Sequence, residues 1–112
     1  MTKEMAIRCI RLWKRTIPKH NFSGWLVNSF DFKRACWEEY AADLLIRRIR
    51  ESSPQETPAE VILRFERQME DILSSSDDGH VLTHTFASVM ENTARDIRYD
   101  ILAKESTMYD KN

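Results

Sequence analysis

The stretch "ACWEEYAADLLIRRI", residues 35–49, places apolar side chains at almost every angle around a helix axis. Cys36, Trp37, Tyr40, Ala41, Leu44, Leu45, Ile46 and Ile49 do not share one stripe at a helical period. A helix of this kind needs neighbours on more than one side, so the rest of the chain has to fold around it. The sequence therefore predicts an all-α, single-domain protein: an irregular antiparallel bundle of four helices with the second at its centre.

Helix boundaries follow from sparse punctuation, since 112 residues hold two glycines and three prolines. Thr2 caps a first helix from about Lys3 to Thr16, and Pro18 forbids its continuation. Its residues Ala6, Ile10, Trp13 and Ile17 recur at helical spacing, with Arg8, Arg11 and Arg15 on the opposite side. A second helix is expected over 30–51, capped by Asn28 or Ser29. In "TPAE", Thr57 caps, Pro58 fits the first helical position and Glu60 completes a capping box, which starts a third helix over 58–74. Ile62, Phe65, Met69 and Ile72 are its expected inward residues. After "SSSDDG", a fourth helix over 80–104 turns Leu82, Phe86, Val89, Met90, Ala94, Ile97 and Ile101 inward. Residues 105–112 have little to bury and are expected to fray.

Hydrophobic residues at 42% and charged residues at 31% fit a globular helical domain, and no apolar run approaches the roughly 20 residues of a membrane span. The opening "MTKEMAIRCIRLWKR" interrupts its apolar residues with arginine and has no signal-peptide core. Cys9 and Cys36 then read as reduced core thiols, and the setting as cytoplasmic.

The histidines of "HVLTH", His80 and His84, stand four apart, the spacing at which two imidazoles on a helix grip one metal. Val81 fills the position where zinc proteases carry their general-base glutamate, and a valine accepts no proton. Asp77 or Asp78 as a helix cap, with the histidines as first-turn polar residues, explains the window without a metal. The expectation is no metal and no cofactor, with His80 and His84 the residues that would carry one. Serine, aspartate and histidine also crowd together in "SSSDDGHVLTH", but members of a catalytic triad come from separated elements. Glu38, Glu39 and Asp43 lack the histidines of a di-metal site and are expected to pair locally, Arg34 with Glu38 and Asp43 with Arg47. Two glycines do not make a glycine-rich phosphate loop. No catalytic residue is assigned.

A net charge of −1 conceals a division. Residues 1–50 hold 11 Lys/Arg against 5 Asp/Glu, and residues 51–112 hold 6 against 13. Either the halves pack on each other or a basic surface faces an acidic partner or nucleic acid. The candidate nucleic-acid contacts are Arg8, Arg11, Lys14, Arg15 and Lys19, interleaved with Trp13 and Phe22. Arg47, Arg48 and Arg50 make a second basic cluster. Against nucleic acid stand a pI near 6.3 and connections too long for a helix-turn-helix.

The connector "FSGWLVNSFDF" carries Phe22, Trp25, Leu26, Phe30 and Phe32. So much apolar area has to lie on something, either as a lid over the bundle end or as a patch for a protein partner. A second copy is one such partner, in a homodimer centred on Trp25. The sequence thus leads to a cytoplasmic, non-enzymatic protein-interaction or regulatory module. The alternatives are a nucleic-acid-associated protein using its basic N-terminal half and a metal-dependent enzyme at His80 and His84.

Overall fold

Two threonines start two of the helices. In the computed structural model, which describes residues 1–17, 30–75 and 81–110, Thr2 caps α1 (Lys3–Arg15) by accepting the Met5 N–H at 3.1 Å. Thr57 and Glu60 form the reciprocal box that starts α3 (Pro58–Ser75). The Glu60 N–H donates to Thr57 Oγ1 at 3.2 Å, and the Thr57 N–H donates to Glu60 Oε2 at 3.3 Å. The other two helices are α2 (Phe30–Glu51) and α4 (Val81–Asp110), and the described residues include no strand.

α4 runs past Lys104, where the sequence places its end, and residues 105–110 are helical rather than a frayed tail. Nothing in the composition stops it, because no glycine or proline follows Gly79. Lys104 Nζ donates to Asp100 Oδ2 at 3.0 Å, and the Thr107 hydroxyl donates to the Ala103 carbonyl at 3.0 Å. Glu105 sits 3.6 Å from the N-terminal ammonium.

Side-chain contacts set the directions of the helices. Lys3 Nζ donates to the carbonyls of Ser52 and Ser53 at 2.7 and 3.1 Å, satisfying acceptors just past the end of α2. Lys14, at the other end of α1, meets Asp43 at 2.8 Å, so α1 and α2 are antiparallel. This corrects the expected Asp43–Arg47 pair: Asp43 turns to the α1 seam, where Lys14 supplies the cation. The expected Arg34–Glu38 pair is present at 3.0 Å. α1 also opposes α4, with Met1 beside Glu105 and Trp13 near His84. α2 and α4 are therefore parallel. They meet where Phe86 lies perpendicular to Trp37 at 5.5 Å and tilted against Tyr40 at 6.4 Å. α2 touches all three other helices, the central place expected of it, and α4 does so as well, most extensively against α3.

The core is aliphatic with one large ring. Ile10, Leu45, Ile49, Ile62, Phe65, Met90, Ile97 and Ile101 are all fully buried. On α2 the buried set is Ala41, Ala42, Leu45, Ile46 and Ile49, with Trp37 and Leu44 half-buried at its edge. Cys36 is exposed, contrary to its reading as a core thiol. It lies nine residues from Leu45, about 180° around the helix, so it faces away from the core. Cys9 is half-buried against the core, and both thiols are free. Tyr40 and Ile72 are exposed, so neither α2 nor α3 is covered on every apolar side.

Two glutamates are buried, and both are bound by arginine. Glu66 of α3 receives a two-pronged contact from Arg98 of α4, at 2.5 Å from Nε and 3.1 Å from Nη2. Its side chain is 3% exposed and that of Arg98 18%. Glu91 is bound by Arg95 one turn along α4. Hydrogen bonds to these carboxylates, opposed by burial, raise both guanidiniums above the ordinary arginine value. A raised folded value gives stability that is complete below the unfolded one and is lost only as pH climbs through it. The arginine contribution is therefore constant from neutral pH to about pH 10.

Removing Glu66 strands Arg98 beside the core. Glu66→Ala is expected to lower the unfolding free energy by about 3 kcal/mol in urea denaturation, whereas Glu66→Met with Arg98→Met should be neutral or stabilising. A loss below about 0.5 kcal/mol for Glu66→Ala would show that the pair holds nothing together.

Candidate functional site

The antiparallel seam of α1 and α2 joins two basic clusters that stand over thirty residues apart in the chain. Arg11 and Lys14 from α1 and Arg47 and Arg50 from α2 line one trough of about 490 Å³. Ile46, 7% exposed, forms its apolar part, and Asp43 and Glu51 are its carboxylates. Asp43 is occupied by Lys14. Arg11, Arg47 and Arg50 are exposed and form no salt bridge with another described residue. Arg8 and Arg15, also exposed, continue the α1 side of this surface along the helix. Arg48 leaves the cluster for α3, with its guanidinium 5.0 Å from the Phe65 ring centre and a hydrogen bond to Gln68. Lys19 lies outside the described residues.

The ion pairs keep to the two halves of the chain. Lys14–Asp43 and Arg34–Glu38 pair within the basic half. Arg64–Glu56, Arg95–Glu91, Arg98–Glu66 and Lys104–Asp100 pair within the acidic half. Among the described residues, the ion pair that crosses is the N-terminal ammonium with Glu105. Among the described residues the halves do not neutralise each other through salt bridges between side chains.

A second concavity, about 400 Å³, opens between α1, α2 and α4. Trp13, expected to point inward, is half-buried and forms a wall of it, facing His84, Ser88, Asn92 and Asp96 of α4. Arg34 and Glu38 contribute from α2, already joined to each other. His84 is exposed, and no hydrogen bond joins it to Ser88 one turn on. Its notional metal partner His80, and the capping candidates Asp77 and Asp78, lie outside the described residues. Among the described residues no three His, Cys, Asp or Glu side chains gather as a metal site would need.

Of the aromatic connector, Phe22, Trp25 and Leu26 also lie outside the described residues, and with them the homodimer contact centred on Trp25. Phe30 is the first residue of α2 and Phe32 is half-buried in its first turn. The sequence pointed to the arginines of the trough but not to their union across the seam, which depends on the antiparallel docking of α1. The placement of Trp13 opposite α4 had no local signal. No helix among the described residues is long and apolar enough to cross a membrane. Comparisons with protein-family models, curated proteins and solved structures find no match to this chain.

An exposed His84 with no hydrogen bond or ion pair to another described side chain predicts a silent substitution. His84→Ala is expected to change stability by less than about 0.5 kcal/mol and to leave zinc binding, read by titration with a chromogenic chelator, unchanged from wild type. Loss of a stoichiometric zinc in the variant would restore the metal reading.

Proposed function

We propose that the protein is a non-enzymatic interaction module whose working surface is the basic face of α1 and α2, and whose partner is an acidic macromolecule. The observation that carries this reading is the trough in which Arg11, Arg47 and Arg50 converge beside Asp43 and Glu51, none of the three in a salt bridge with another described residue. Three exposed guanidiniums in one concavity repel one another, and an incoming anion relieves that repulsion. Each guanidinium offers a planar fork of donors to a carboxylate or phosphate. We read the setting as cytoplasmic, on the two free thiols.

Such a surface acts through charge, and its binding is therefore sensitive to salt. Fluorescence anisotropy with labelled poly-L-glutamate is expected to show binding at low ionic strength that weakens steeply as salt is added. Arg47→Glu with Arg50→Glu is expected to reduce affinity at least about tenfold, while circular dichroism stays that of wild type because both side chains are exposed. Equal binding by wild type and variant would remove the trough from the function.

A further inference from the structure

The outward face of α1 carries an apolar residue among its arginines. Leu12 is 47% exposed, two residues and thus about 200° around the helix from the fully buried Ile10. Arg8 and Arg15 lie one turn to either side of it, and Arg11 flanks it toward the trough. This is an exposed apolar contact bordered on one side by charge, presented along a helix rather than inside a pocket.

Resting on the reading of the basic face given above, we propose that its partner is an acidic amphipathic helix of another protein, laid along α1. An apolar side chain of that helix covers Leu12, and its carboxylates meet Arg8, Arg11 and Arg15. Arg47 and Arg50 of α2 close one side. Charge complementarity selects the occupant, and three observations narrow it. Leu12 gains nothing from a phosphate backbone but does gain from an apolar side chain. Asp43 and Glu51 stand among the cations of the trough, where an unbroken row of phosphates is repelled and a peptide of mixed charge is not. Among the described residues, α3 of a second copy offers no acidic stripe to match: Glu60 is separated from Glu70 and Asp71 by Arg64 and Arg67, and all but Arg64 are exposed. Asp96 of α4 belongs to the separate polar concavity. Among the described residues the acidic surplus is dispersed, while Arg8, Arg11, Arg15, Arg47 and Arg50 are gathered on one face.

The experiment uses the full chain and a fluorescein-labelled peptide of about 20 residues, long enough to hold a helix, with leucines on one face flanked by glutamates. The controls are the same peptide with serine for leucine, and a single-stranded DNA of equal net charge. The leucine peptide is expected to bind more tightly than either control. Leu12→Ser should weaken it about tenfold, Leu12→Met should restore it, and Arg8→Glu with Arg11→Glu should remove it. Equal binding by the serine peptide, or tighter binding by the DNA, overturns the helical partner while leaving an anion-binding face in place. Failure of every anionic probe, poly-L-glutamate included, overturns the proposed function as well. Self-association of the chain alone, abolished by Leu12→Ser in sedimentation velocity, makes the occupant a second copy and overturns the proposal.

Discussion

A carboxylate inside the α3–α4 interface sets the terms for the rest of the molecule. Glu66 lies among core residues and is held by both prongs of Arg98. Burying an unpaired carboxylate is prohibitive, so the two helices are fixed at the one register that brings this arginine to that glutamate. The same economy recurs along α4, where Glu91 takes Arg95 and Asp100 takes Lys104. Arg64, Arg95, Arg98 and Lys104 are thereby committed to carboxylates of their own half. Among the described residues, the side-chain cations of α1 and α2 have Asp43 and Glu38 as their salt-bridge partners. An internal need for charge pairing thus leaves an uncompensated basic surface some distance from it.

Much of the fold was legible because helix boundaries are local. The threonine caps, the capping box at Thr57 and Glu60, and the extent of α2 all follow from a few adjacent residues. The inward faces of α1 and α4 followed from spacing, as with Ile10, Ile97 and Ile101. Residues at the margin of a stripe were harder. Cys36 and Tyr40 are apolar enough to count as core, yet both are exposed, Cys36 opposite Leu45 on α2 and Tyr40 at the margin of its contact with Phe86 of α4. Glu66 shows the opposite failure. It occupies an inward position beside Phe65 and Met69, but a charged residue there becomes plausible only once Arg98, thirty-two residues later, is known to face it.

The candidate surface was legible in its parts. Arg8, Arg11, Lys14 and Arg15 stood out as a basic run, and the charge division of the chain showed that something had to balance it. Three-dimensional packing added that the run faces Arg47 and Arg50 across a seam, and it turned Lys14 inward onto Asp43. Leu12 had no place in the apolar periodicity of α1, and that is itself a signal: a leucine outside the buried stripe with arginines along one side is exposed apolar area bordered by charge.

The central claim is that Arg8, Arg11, Arg15, Arg47 and Arg50 are open while Arg64, Arg95 and Arg98 are engaged. Arginine-specific labelling with phenylglyoxal, followed residue by residue by mass spectrometry, tests this directly. The expected result is rapid modification of Arg8, Arg11, Arg15, Arg47 and Arg50, with Arg98 protected by Glu66. Protection of Arg11, Arg47 and Arg50 to the level of Arg98 would mean that the chain itself covers the basic face, and would contradict the claim.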